Sequence, residues 1–399
     1  FDNQYSATNK MEYDAEQKCY YLYAYLKQGG YDYMYYVVNK DGVTTYKTSN
    51  SSYITKKGDD FWNCKGYKGF YKSKIENSEF YLSEDNLEED MINVVEPYLN
   101  ELRTTGYFKG YDGEEIYYEQ YLSGEDKGHI VVVHGFTDAT YKFREVMYYF
   151  LKSGYSVSAL EHRGHGHSYR AVENMSKVSI ESFDEYKDDM KIFLNDIVKP
   201  TLQSGEKLFA YAHSMGGGIT ALLVEEDNTL FDAVVLNAPM MEIEFGGIPN
   251  NVATLVANGA FLLGREDEYT AGTSDYVESY DFAKSSYTSE ARYDYVSHLG
   301  ASDEMYRMSG GNYKWLSAAV EAAKAIRENA EKYTTDTLLF QAKLDTTVGP
   351  NGQNEFATKA SNVQLIVVED AKHSILFADN STFIPYMNTI LEFYKEHLT

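Results

Sequence analysis

The sequence predicts an α/β protein: a doubly wound, mostly parallel sheet with an inserted cap, preceded by a small tyrosine-rich antiparallel β unit. Three observations carry this. From Gly128 onward strand-like and helix-like runs alternate, and several strands are apolar on consecutive positions, as a sheet covered on both faces requires. The run from Lys207 to Asp227 reads as buried strand, tight turn and apolar helix, with Ser214 on the turn. A long interruption, about Met240 to Ala325, separates two core strands and so reads as an insertion.

The totals fit such a chain. At 399 residues it exceeds one simple core and divides into a β unit (1–80), a linking helix (81–105), a first core part (106–240), a cap insertion (241–325) and a second core part (326–399). The 43% apolar and 24% charged content is that of a globular protein, and no apolar run approaches the roughly 18 residues that span a bilayer. The 61 acidic against 36 basic side chains leave a net charge of −25, which argues against nucleic acid and against adhesion to anionic lipid. Opening on Phe1 rather than Met implies an upstream segment, compatible with a cytoplasmic or an exported protein. Cys19 and Cys64 allow at most one bridge and otherwise stand as free thiols.

Taken in order, the first 80 residues are dense in tyrosine. Alternation over Tyr21 to Leu26 and Tyr31 to Val38 predicts strands, with turns at Gln28-Gly29-Gly30 and Lys40-Asp41-Gly42. Such tyrosine rows stabilise a sheet by cross-strand contact, and a carbohydrate-binding face is the alternative. Ser83 caps a helix over 84–105 whose first turns carry Glu84, Asp85, Glu88 and Glu89. A turn-rich piece, Gly106 to Gly113, leads into the strand Glu115 to Leu122. Then follow the strand His129 to Val133, the helix Tyr141 to Lys152, the strand Tyr155 to Glu161 and the helix Ser182 to Val198. After the Ser214 unit come the strand Ala233 to Ala238, the insertion, strands Thr337 to Gln341 and Val363 to Glu369, and a last helix near Thr382 to His397.

Ser214 is flanked two residues away by Ala212 and Gly216, small enough for the sharp turn that lifts a serine hydroxyl to the head of a helix. A serine hydroxyl needs a base, and the base needs an orienting acid. Asp345 ends the strand that begins at Thr337, and His373 follows the strand that begins at Val363, so acid and base arrive in chain order at one sheet edge. Asp370 is the rival acid, too close to His373 in sequence to be preferred. For the oxyanion, the N–H of Met215 follows the nucleophile, and the loop His134-Gly135-Phe136-Thr137 offers Phe136 N–H, with Gly135 permitting close approach. His134 is assigned to holding that loop. The histidines of Glu161-His-Arg-Gly-His-Gly-His-Ser168 suggest a metal, but glycines interrupt any regular element and no second cluster completes a ligand set, so the loop is read as packing beneath the site.

His134-Gly-Phe, Glu161-His-Arg-Gly-His-Gly-His-Ser, Ala212-His-Ser-Met-Gly-Gly, Leu236-Asn-Ala-Pro-Met, Leu338-Leu-Phe-Gln-Ala-Lys-Leu-Asp and Lys372-His-Ser-Ile-Leu stand in an order that resembles the α/β-hydrolase family of bacterial lysophospholipases and monoacylglycerol lipases. The similarity runs from about Gly106 to the C-terminus and takes in Gly310-Gly-Asn-Tyr-Lys-Trp315. The resemblance implies a triad of Ser214, Asp345 and His373, an oxyanion hole of Phe136 and Met215, a lysophospholipid or monoacylglycerol substrate, and no cofactor or metal. Glu161 stands where that family has Asp, and the first 80 residues have no counterpart in it. An acyl chain is expected under the cap near Met240, Met241, Leu255 and Phe261. The sequence therefore points to a serine ester hydrolase acting on a small lipid or ester, without nucleic-acid partner or stable membrane insertion. The alternatives are a short-chain or hydroxycinnamoyl carboxylesterase, an aminopeptidase, and a non-catalytic binding protein on the same fold.

Overall fold

The computed structural model describes residues 80–125, 127–244, 256–257 and 259–398 with their side chains, and the backbone of four strands within 1–79. Those four form two antiparallel pairs, β1 (Glu12–Asp14) with β2 (Cys19–Tyr21) and β3 (Gly30–Val38) with β4 (Thr44–Ile54). The tyrosine side chains expected to line this unit, the turns at 28–29 and 40–42, and any pairing of Cys19 with Cys64 lie outside the described residues.

A helical run over 84–102 follows, containing α1 (Leu87–Asp90) and α2 (Glu96–Leu102) and capped by Ser83, whose hydroxyl accepts from Asp85 N. It stops short of the expected 105. Residues 103–109 instead form the strand β5 (Arg103–Lys109), paired antiparallel with β6 (Glu115–Tyr121). Thr104, Thr105, Tyr107 and Phe108 explain the correction: β-branched and aromatic side chains favour extended backbone once a partner strand is available. Gly113, at φ 86°, turns the chain back.

The core is one eight-stranded sheet. With β7 (His129–Val133), β8 (Ser156–Leu160), β10 (Leu208–His213), β11 (Ala233–Asn237), β13 (Thr337–Ala342) and β14 (Val363–Val368), its order is β14-β13-β11-β10-β7-β8-β6-β5. All pairs are parallel from β14 to β8, and β6 and β5 run antiparallel at the far edge. Every residue of β7, β8, β10, β11 and β13 is buried, which explains their mostly apolar runs. Of the helices that cover the sheet, the site argument needs α3 (Arg144–Lys152), α4 (Phe183–Ile192) and α5 (Met215–Glu226).

Within the insertion lie α6 (Glu290–Ser302), the two-residue β12 (Gly310–Gly311) and the first part of α7 (Tyr313–Asn329). β12 pairs in parallel with β9 (Lys177–Val178), so the insertion is stitched to the loops at the carboxyl ends of the core strands. Aromatic pairs add to this: Trp315 stacks on Phe136 at 3.7 Å and Tyr306 on Tyr141 at 4.2 Å. Near the C-terminus α8 (Pro350–Lys359) and α9 (Asn380–Glu396) complete the cover. Among the described residues no helix is long and apolar enough to cross a membrane.

Candidate active site

Ser214 closes β10 and opens α5 at φ 52°, ψ −117°, a conformation that strains a non-glycine residue by about 1–3 kcal/mol. Surrounding hydrogen bonds hold it there. Ser214 N–H donates to Asn237 O (3.0 Å), and its carbonyl accepts from Gly218 N (3.1 Å) and Met240 N (2.9 Å). A Cβ on Gly216 would lie 2.5 Å from the carbonyl oxygens of both Val133 and His134, so the helix reaches this depth only with glycine there. Ala212 is fully buried, and its carbonyl accepts from Asn237 Nδ2 at 3.1 Å. Asn237 thus supports the turn from below, a role missed in the sequence even though a buried polar residue ending an apolar strand is its signal.

The three residues expected to act together meet. His373 Nε2 lies 2.8 Å from Ser214 Oγ, and His373 Nδ1 lies 2.7 Å from Asp345 Oδ2. The other carboxylate oxygen of Asp345 accepts the N–H groups of Thr347 (2.7 Å) and Val348 (3.1 Å), which fixes the plane of the group. Because an ionised carboxylate only accepts, Nδ1 must carry the imidazole proton, leaving Nε2 free to accept from the serine hydroxyl. Ser214 and His373 are each 7% exposed, so these hydrogen bonds lie largely away from water. Asp370, the rival acid, is exposed in a turn beyond β14.

The loop after β7 lies beside the serine, since a Cβ on Gly135 would come within 3.0 Å of Ser214 Cβ. Phe136 and Met215 both follow residues that touch this turn, and among the described residues neither N–H donates a hydrogen bond within the protein. His134 accepts His162 N–H at Nε2 (2.8 Å), so its Nδ1–H donates to Gly135 O (2.8 Å). Burial holds His134 below the ordinary imidazole range and His162 and His165 well below it, so this cluster of neutral rings, with centroids 4.5 and 5.2 Å from that of His134, is packing. Among the described residues no three His, Cys, Asp or Glu side chains are placed to hold a metal ion.

Glu161 is fully buried beneath the same loop. It accepts from Thr140 Oγ1 (2.8 Å), His167 N (2.6 Å) and His167 Nδ1 (3.1 Å). Burial by itself would raise its pKa, but these hydrogen bonds outweigh burial and lower it. The carboxylate fills the space where a Cβ on Gly166 would sit, at 2.0 Å, and Gly166 has φ 51°. Asp138 on the neighbouring turn behaves similarly: burial opposes ionisation, yet Lys142 at 2.6 Å and His213 pull its pKa down to about 2.

The residues expected to line an acyl site are less uniform. Met240 is buried next to Ser214, its N–H donating to Ser214 O. Met241 is buried with its carbonyl accepting from Arg327 Nη1. Phe261 is 41% exposed, beside Leu262 and Leu263, which are also exposed. Leu255 lies outside the described residues.

A mostly parallel sheet with a strained serine between strand and helix, with Asp345 following β13 and His373 following β14, defines an α/β-hydrolase. The chain belongs to the Hydrolase_4 family (serine aminopeptidase, S33), whose model matches residues 124–380, more than half of its length. Lysophospholipase L2 of Escherichia coli K12 is 27% identical over 304 residues, covering 74% of this chain and 88% of its own. Monoacylglycerol lipase of Mycolicibacterium smegmatis is 29% identical over 167 residues, 41% of this chain and 56% of its own. Among solved structures, the monoglyceride lipase of Saccharomyces cerevisiae in complex with a substrate analogue superimposes with a TM-score of 0.58 at 18% identity, over 74% of this chain and 95% of that one. A carboxyl esterase of Bacillus coagulans gives 0.59 at 18% identity, over 74% and 99%, and both likenesses show the fold. The chain is an ester hydrolase.

Proposed function

We propose that the chain cleaves lysophospholipids or monoacylglycerols through an acyl-enzyme on Ser214. The observation that carries this reading is the unbroken succession Asp345 Oδ2, His373 Nδ1, His373 Nε2 and Ser214 Oγ, at 2.7 and 2.8 Å. His373 takes the hydroxyl proton as Ser214 Oγ attacks the acyl carbonyl, and Asp345 stabilises the imidazolium. The oxyanion rests on the N–H groups of Phe136 and Met215, each worth on the order of 3 kcal/mol in the transition state. Collapse of the intermediate breaks the acyl C–O bond, and the imidazolium gives its proton to the departing alcohol. Water then attacks the acyl-enzyme with His373 again as base, releasing the acid and restoring Ser214.

The lipid substrate is supported by the E. coli relative, which aligns over most of both chains and is named a lysophospholipase. The acyl chain is assigned to the cap side of Ser214, next to the buried Met240 and Met241. A hydrolysis panel tests the reading: lysophosphatidylcholine, monoolein, p-nitrophenyl esters of graded length and an aminoacyl anilide, with Ser214→Ala as control. Turnover of the two lipids, with fluorophosphonate labelling that Ser214→Ala abolishes, is the expected result. Turnover confined to short esters or to the anilide would overturn the lipid assignment, and labelling that survives Ser214→Ala would overturn the nucleophile.

A further inference from the structure

The helical run over 84–102 precedes the family match at 124–380, yet its first residue reaches the loop that carries His373. Glu84 Oε1 accepts from Ser289 Oγ at 2.5 Å, and Glu84 Oε2 accepts from Asn380 N at 2.8 Å. Ser289 belongs to the insertion and caps α6, while Asn380 opens α9. One carboxylate therefore pins the ends of two segments, 285–289 and 372–380, that lie side by side.

These two segments hold each other along their length. Lys372 Nζ donates to Ser285 O (3.0 Å), Ser374 N to Ser286 O (3.2 Å), and the hydroxyls of Ser286 and Ser374 lie 2.7 Å apart. Thr288 N and Ser289 N both donate to Phe377 O (3.3 and 3.1 Å), and Tyr287 stacks on Phe377 at 4.3 Å. His373 sits between Lys372 and Ser374, so both its chain neighbours are hydrogen-bonded to the insertion. Arg292 completes the far end, donating to Ala378 O (2.8 Å) and Asn380 Oδ1 (2.9 Å) with its guanidinium 3.7 Å from Glu84.

We infer that Glu84 is a positioning residue for His373, acting through Ser289 and Asn380 to fix the register of the histidine loop against the cap. The inference rests on the reading of His373 as the base. Removing the carboxylate leaves Ser289 without its acceptor and the first N–H of α9 without its partner. The side chain is 31% exposed, so its loss opens no core cavity; what it removes is alignment. A small displacement of a catalytic side chain by a remote change costs 10-fold or more in rate.

The test uses the full chain and a short p-nitrophenyl ester. Glu84→Ala is expected to lower kcat about 10-fold with KM changed less than about twofold. It should also broaden the downfield proton resonance of His373 Nδ1–H, which reports the bond to Asp345 without requiring turnover. Glu84→Gln, which keeps one acceptor oxygen, should recover part of both. Ser289→Ala, which deletes only the hydroxyl, should shift both in the same direction by less. If Glu84→Ala and Ser289→Ala keep wild-type kcat and resonance, the inference is overturned while the hydrolase reading stands. If Glu84→Ala does not fold, Ser289→Ala decides alone. Should the wild type hydrolyse none of the esters, the hydrolase reading fails, and the resonance alone decides whether Glu84 positions His373.

Discussion

Arg292 of the cap helix α6 meets Glu145 of the core helix α3 through two parallel contacts, Nε to Oε2 at 2.8 Å and Nη2 to Oε1 at 2.7 Å. The guanidinium is 1% exposed and also faces the ring of Phe383 at 4.2 Å. A pair this dry holds the cap on the core only while both members are present.

Glu145→Ala therefore leaves a buried cation with only the part-exposed Glu84, 3.7 Å away, as its counter-charge. We expect a loss of about 3–5 kcal/mol, read from the urea midpoint. The double variant Glu145→Leu with Arg292→Met should recover most of that loss. If the double variant is no better than the single one, the pair is structurally specific beyond its charge.

Asp345→Asn tests the orientation of the imidazole. An asparagine amide can still accept from Thr347 and Val348, so the loop keeps its shape, but it no longer demands a proton on Nδ1. We expect kcat to fall about 10⁴-fold with the melting temperature changed little. A loss of less than tenfold would show that another group orients His373.

Gly216→Ala places a methyl group 2.5 Å from two backbone carbonyls. Neither β7 nor its following loop can retreat without moving the Phe136 N–H. The variant should lose about 1–3 kcal/mol of stability and label more slowly with a fluorophosphonate. Wild-type labelling at wild-type stability would mean that the turn relaxes in solution.

Acid stability should carry a histidine signature. Burial holds His129 at about 4, below the ordinary 6.5, and its Nε2 lies 2.7 Å from Ser158 Oγ. The unfolded chain takes up a proton as the pH falls through 6.5, whereas the folded chain does so only near 4. Stability is thus complete above the unfolded value and declines between the two, by about 3 kcal/mol over the window. His129→Gln should flatten the denaturant-midpoint profile between pH 6.5 and 4 while leaving the slope above pH 7 unchanged. An unaltered slope in the acid window would assign it to other groups, His213 first, which burial also holds at about 4.

Much of this molecule was legible in its sequence because a parallel sheet converts chain order into position. Strands that are apolar at every residue must lie inside, and whatever follows them must emerge at one edge, so Ser214, Asp345 and His373 could be placed without a structure. Local pattern misled where tertiary pairing decides, as at Arg103–Lys109, whose first three residues read as helix and whose next four read as turn, although β6 pairs with the whole segment as a strand. Contacts between remote side chains were invisible. Glu84 and Ser289 are 205 residues apart, and Glu84 and Asn380 are 296 apart. Nothing in the composition around Glu84 marks it out from the other acids of its helix. Phe261, apolar in sequence, is exposed in the fold.

The buried carboxylate of Glu161 has a further effect on how this chain can change. Its carboxylate occupies the volume that any side chain at position 166 would need, and the backbone there already has a positive φ. Substitutions at the two sites are therefore not independent. With glutamate at 161, a side chain at 166 must displace a buried, hydrogen-bonded carboxylate as well as bear the positive φ, so the two positions can change only as a pair.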